Sequence, residues 1–167
     1  MMSEFLHKLE YVHQFNISKG DVELLGVKEF FLPVELLELI NKPGKDMYKK
    51  IKAIFRRTFD VFLRKIGSST PLQKYNNILD ILNTMGIGDV EVDFMDSSKH
   101  RAIIHLFHSP IVASYIRRGE KSTVPVCHII NAVLAGAFSS LFNRDVNSKE
   151  LKCAVTGSEF CQFALKE

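Results

Sequence analysis

The strongest hydrophobic pattern in the chain runs over residues 45–66. Tyr48, Ile51, Phe55, Phe59, Phe62 and Ile66 recur at three- and four-residue steps, which puts them on one face of a helix. Lys49, Lys50, Lys52, Arg56, Arg64 and Lys65 are assigned to the opposite face. A solvated face opposite an apolar stripe accounts for these cations more simply than an acidic partner does. "GSST" ends the helix, and Thr70 followed by Pro71 gives an N-cap and first-turn pair for a second helix, which "GIG" stops near Met85. Upstream, residues 1–20 read as a short helix and a loop ending at Gly20. "DVELLGVKEFFL" reads as one or two strands turning at Gly26, and Pro33 opens a short helix in "PVELLELIN" that "KPGK" breaks.

Beyond residue 88 the period changes from helical to alternating. "DVEVDFMD" places Val90, Val92 and Phe94 on one strand face, and "RAIIHLF" is its partner through "DSSKH". Ser109 and Pro110 start a short helix ending near Gly119. The loop "GEKSTVP" leads into a long apolar helix over about 126–143. Residues 148–155 and 160–166 close the chain as two strands joined by "TGSE". Helices, two strands, helices and two strands predict an α+β fold, with an antiparallel sheet of about four to five strands covered by helices. With 167 residues the expected organisation is one domain over 21–167 behind an N-terminal extension over 1–20.

Composition then narrows the class. Apolar residues make up 46% and charged residues 25%, as in an ordinary soluble domain. A net charge of +3, with no recognition-helix motif or basic tail, gives no support to nucleic-acid binding. The longest apolar run, "HIINAVLAGAFSSLF", falls short of the ~20 residues a bilayer span needs. "MMSEFLHKLEYVHQF" lacks the continuous apolar stretch of a leader, so a cytoplasmic protein is expected. Thirteen phenylalanines and no tryptophan predict an aromatic-rich interior.

The candidate chemistry lies in three cysteines. An odd number in a reducing compartment disfavours structural disulfides. Glu150, Cys153 and Cys161 lie on or beside the terminal hairpin, whose turn near Gly157 is midway between the two cysteines. Cys127 opens the long helix, where free N–H groups favour a thiolate. A metal would take about four such ligands. Residues three apart on a regular strand, however, face opposite ways, so Glu150 could join Cys153 only through a bulge or twist near Lys152. On spacing alone, a metal site and a set of buried structural thiols both stand. No phosphate loop, nucleotide fingerprint or Ser/His/Asp set is present, so no catalytic residue is assigned.

"CHIINAVLAGAFSSLFNRDVNSKELKCAVTGSEFCQFALK" resembles the C-terminal half of the 4-vinyl reductase domain family. The pattern is a cysteine opening a small-residue helix, then Glu-x-x-Cys, then Gly-x-x-x-Cys-x-Phe. Here these are Cys127, the helix with Gly136, Glu150 with Cys153, and Gly157 with Cys161 and Phe163. The match weakens toward Asp21 and suggests a stand-alone, archaeal member. The resemblance implies a fold like that of heme-based nitric-oxide sensors and Golgi transport-complex subunits, which often dimerise. It also implies a structural zinc on Cys127, Glu150, Cys153 and Cys161.

In aromatic-sensing relatives an internal pocket holds a phenol-type effector through a histidine and a tryptophan. This chain lacks the tryptophan, and His105 and His108 lie in about the right region, although a surface or satisfied histidine is the simpler reading of each. The resemblance therefore points to a hydrophobic or aromatic ligand near His105, Phe107 and His108, against the Ala132 and Gly136 face of the long helix. Close helix–helix packing is the competing explanation of that face. The function implied is a small-molecule-binding or sensor module. An enzyme or accessory in tetrapyrrole or cofactor metabolism, a zinc–thiolate redox sensor and a dimerising scaffold are the alternatives.

Overall fold

The computed structural model describes residues 4–12, 14–18, 21–29, 33–42 and 44–167. Its centre is a four-stranded antiparallel sheet in the order β4-β5-β7-β6, made of β4 (Asp89–Asp96), β5 (Arg101–Phe107), β6 (Asn147–Lys152) and β7 (Cys161–Lys166). Alternation decides which side chains face the core. Ala102, Ile104 and Leu106 of β5 and Cys161, Phe163 and Leu165 of β7 are all buried. A smaller antiparallel sheet joins β1 (Phe15–Ser18), β2 (Asp21–Leu24) and β3 (Val27–Glu29). Its second turn is Leu25–Gly26, with φ of 52° and 82°, the two-residue geometry that suits the twist of a hairpin. Residues 1–20, expected as an extension, include helix α1 (Glu4–Tyr11), whose Leu9 is buried in the core, and the strand that pairs with β2.

Helix α2 (Val34–Ile40) follows Pro33 as expected, while Gly20 and Pro43 lie outside the described residues. Helix α3 (Lys45–Ile66) matches the amphipathic stretch and buries Phe59 and Phe62 completely. One assignment on it is corrected. Lys52 is not on the solvated face; it is buried, and its Nζ lies 2.9 Å from both Asp145 Oδ1 and Asn147 Oδ1. Position 52 is four residues from Tyr48 and three from Phe55, so it falls on the apolar stripe and carries its charge to partners at the start of β6.

Helix α4 (Pro71–Thr84) opens with a full capping box: Gln73 N–H donates to Thr70 Oγ1 at 3.2 Å, and Thr70 N–H donates to Gln73 Oε1 at 3.1 Å. Thr70→Ala is expected to destabilise the chain by about 1 kcal/mol, read as a small shift in the urea midpoint. Thr70→Ser should restore most of it.

The expected face of β4 is corrected in part. The pairing register shifts between Val92 and Phe94, so Val90 is buried while Phe94 turns outward, 44% exposed, beneath the Arg101 guanidinium. Ser109 caps α5 (Pro110–Arg117), and Cys127 occupies the N-cap position of α6 (His128–Phe142). Helix α6 is buried along most of its length between the sheet and α3. Gly136 makes that possible, because a Cβ there would lie 2.7 Å from the Lys52 carbonyl oxygen and 2.9 Å from the Arg56 nitrogen. Among the described residues, no helix is long and apolar enough to cross a membrane.

Candidate metal centre

The end of the chain is built around one extra residue. Glu150 pairs with Phe163 and Lys152 with Gln162, so Leu151 is the inserted residue of a bulge. Without it, Glu150 and Cys153 would face opposite sides of the strand. With it, both face the core side that Cys161 already occupies. The chain then makes a single 3-10 turn (Ala154–Thr156), in which Thr156 Oγ1 donates to the Cys153 carbonyl at 2.7 Å. Gly157, at φ 96°, supplies the left-handed residue that sends the chain back into β7.

These elements bring the three thiols and one carboxylate together. The Cys127–Cys161, Cys153–Cys161 and Cys127–Cys153 sulfurs are 3.7, 3.8 and 4.0 Å apart. One ligand atom from each of Cys127, Glu150, Cys153 and Cys161 lies within 4.8 Å of all the others. A disulfide would hold two sulfurs at ~2.05 Å, so all three cysteines are free and buried. Glu150 uses one oxygen to accept from the Cys127 N–H at 3.0 Å, which sets a carboxylate at the start of α6. Its other oxygen, Oε1, is buried without a hydrogen-bond partner. Leaving such an atom unmet costs stability, and one of the two Glu150 oxygens lies within 4.8 Å of all three sulfurs.

The electrostatics of the cluster show what the protein alone cannot hold. Hydrogen bonds with the other two cysteines push the Cys153 thiol well below its ordinary range. Cys127, bonded to Cys153 and buried, is pushed far up. Cys161 is pushed up to about 12: its bond with Cys127 pulls downward, but its bond with Cys153 and its burial outweigh that pull. Burial, then the charge on Cys153, raises Glu150 to about 8. Four acids confined this closely stay largely protonated unless a cation joins them. The N–H of Ala154 points at Cys161 Sγ at 3.4 Å, a contact that favours a thiolate.

Two residues that the sequence reading did not connect to the cluster hold its outer side. Asn41, buried at the end of α2, donates from Nδ2 to the Val126 carbonyl at 2.6 Å and accepts at Oδ1 from the Ile129 N–H at 2.9 Å. It therefore fixes the backbone on both sides of Cys127. Ser109 Oγ lies 3.7 Å from Cys127 Sγ. Asn41 left one trace in the sequence: a polar residue directly after the short helix that Pro33 opens.

Of the residues expected at a ligand pocket, the structure brings together only His105 and Phe107. His105 lies on β5, 3.0 Å from the Gln162 amide and stacked on Phe160 at 4.1 Å between ring centroids; Phe107 touches the same ring. His108 is on the surface, 2.7 Å from Asp89 Oδ2. Ala132 and Gly136 are buried within α6, and Gly136 faces the α3 backbone. None of the five lines any of the three cavities described among these residues.

Residues 106–167 match the family model of the 4-vinyl reductase domain. No curated protein matches the chain. Among solved structures, the phenol-responsive sensory domain of the transcription activator PoxR, solved with phenol, superposes at a TM-score of 0.76 and 12% identity, covering 99% of this chain and 91% of that one. A vinyl-4-reductase family protein from Methanocaldococcus jannaschii gives 0.55 at 18% identity, with 100% and 96% covered. A trafficking protein particle complex subunit 3 from Naegleria fowleri, covalently bound to palmitic acid, gives 0.51 at 16%, with 80% and 89% covered. The α+β architecture is thus shared with sensory and trafficking proteins over most or all of its length.

Proposed function

We propose that this chain, with its 4-vinyl reductase domain match over residues 106–167, is a small-molecule-binding sensor module whose C-terminal end is fixed by a structural zinc. The observation that carries the zinc is the sulfur triangle beside an orphaned carboxylate oxygen. A tetrahedral zinc with bonds of ~2.3 Å to sulfur sets its sulfurs ~3.8 Å apart, and the three edges here are 3.7, 3.8 and 4.0 Å. Glu150 Oε1 supplies the fourth ligand, with its partner oxygen already held by the Cys127 N–H. When bound, zinc closed by four protein ligands has no open position for substrate, so its contribution is structural. It ties α6, β6 and β7 at one corner.

The ligand-binding half of the reading is supported by the fold shared with the phenol-responsive PoxR domain. This chain has no tryptophan, and His105 and His108 line none of the three described cavities, so the ligand need not be a phenol. Native mass spectrometry of the chain purified without added metal tests both halves together. One zinc per chain and a retained small molecule are expected; a metal-free chain that melts at the same temperature before and after chelation overturns the zinc.

The protonation of the cluster gives a pH dependence. Zinc needs ionised ligands, whereas the metal-free fold keeps protons on Cys127, on Cys161 and, below about pH 8, on Glu150. Uptake must expel these protons, so apparent affinity rises with pH. Calorimetry in buffers of different ionisation enthalpy should read two or more protons released at pH 7, roughly the number of groups held protonated. In the chelated chain the sign is reversed. Glu150 carries a proton in the folded state that the unfolded chain loses near its ordinary 4.5, so this contribution to stability is lost as pH rises from 4.5 through 8.

A further inference from the structure

A cleft of about 380 Å³ lies between the start of α3, the first turn of α6 and β6. Its size is that of a small-molecule site. It is separate from the metal cluster, since none of the four clustered residues lines it. Ile40, Met47, Ile51 and Ile129 give it an apolar wall, and Lys42, Lys45 and Lys49 give it a cationic rim. Among the described residues no aspartate or glutamate lines it, so these charges act together. The first turn of the 22-residue α3 opens at the cleft through Gly44, which offers no side-chain cap to the free N–H groups there. Asp46 belongs to that turn but does not line the cleft.

A second, independent feature points to a ligand. Ser148 is only 9% exposed and lines the cleft, yet its Oγ has no hydrogen-bond partner among the described residues. The Tyr48 hydroxyl is occupied by the Ser148 backbone, accepting from the N–H at 2.8 Å and reaching the carbonyl at 3.4 Å. Asn131 Oδ1, also at the cleft, is buried and unmet too. A folded chain that leaves two polar atoms unmet beside an apolar wall and three lysines has the parts of a recognition site: a polar anchor, an apolar surface and a counter-charge.

We propose that this cleft binds a small amphipathic anion. Its carboxylate or phosphate head sits among Lys42, Lys45, Lys49 and the first turn of α3. Its apolar body lies on Ile51 and Ile129, and a hydroxyl or amine on that body meets Ser148 Oγ and Asn131 Oδ1. The proposal rests on the ligand-binding half of the function above and is independent of the zinc.

The test uses the full chain as purified, with zinc content measured alongside. The fluorescent probe 6-hydroxy-2-naphthoate carries a head, a body and a donor; 2-naphthol is the same body without the head. The naphthoate should bind at least about tenfold more tightly than the naphthol at low salt and lose that advantage as salt rises. Lys45→Gln with Lys49→Gln should remove the advantage while leaving melting temperature and zinc content unchanged. Ser148→Ala should weaken both probes, and Ser148→Phe, which fills the cleft, should abolish both. Equal binding of the two probes, or naphthoate binding indifferent to the lysines, overturns the anion site and leaves a ligand-binding module standing. Binding of neither probe overturns both.

Discussion

Cys153→Ser is expected to yield a chain without zinc that melts about 6–12 °C lower, the shift that ~3 kcal/mol produces in a domain of this size. The loss is less than the ~10–16 kcal/mol of zinc-finger peptides, because this fold keeps a core of its own around Phe59, Phe62, Phe138 and Phe163. Cys153 is the most telling of the three cysteines because its sulfur contacts both others, at 4.0 and 3.8 Å, and those contacts hold its thiol below the ordinary range. Glu150→Gln is the companion variant. An amide oxygen still accepts from the Cys127 N–H, so the start of α6 keeps its hydrogen bond. What is lost is the charge. If Glu150 only caps the helix, this variant melts like the parent; if it ligates zinc, metal affinity falls and the melting temperature falls with it. Thermal unfolding with and without chelator, beside elemental analysis, separates the two.

Gly136→Ala is expected to destabilise the chain by about 2 kcal/mol, against the usual sign for an interior helical glycine. Alanine normally gains ~1 kcal/mol over glycine in a helix. Here the new carbon would meet the Lys52 carbonyl oxygen at 2.7 Å, Phe55 Cβ at 2.8 Å and the Arg56 nitrogen at 2.9 Å. Two of these are backbone atoms, so α3 must move away from α6, and overpacking of this kind costs ~1–3 kcal/mol beyond the propensity gain. Gly136→Val should cost more, since its branched carbons enter the same space. Denaturant unfolding measures both, and an unchanged or raised midpoint for alanine would show that the helices separate freely.

What the sequence revealed followed from local rules. The span of α3, the Thr70 cap, the Ser109 cap and the place of Cys127 at a helix start were legible because each depends on neighbours within a turn or two of helix. The bulge beside Lys152 was legible as a requirement: Glu150 and Cys153 could share a face only if one residue were added. The second bulge, which turns Phe94 outward, had no such demand behind it, and alternation alone placed that ring inside. Lys52 was misplaced because a lysine reads as solvated until its partners, Asp145 and Asn147, are known from more than ninety positions away. Asn41 and the α3–α6–β6 cleft were hidden for the same reason. Small residues on α6 were readable, but only the α3 backbone lying against Gly136 decides between a pocket wall and a helix contact.

That contact also sets an order of events for the chain as it is made. Tyr48 finishes its hydrogen bonds on Ser148, one hundred residues later, and Lys52 waits for Asp145. Helix α3 can form early and meet α4, but the side that packs on α6 stays unpartnered until α6 and β6 have left the ribosome. Such distant pairings are closed slowly. The segment 106–167, recognisable by itself in sequence, would by itself leave bare the side of its long helix that packs against α3 through Gly136.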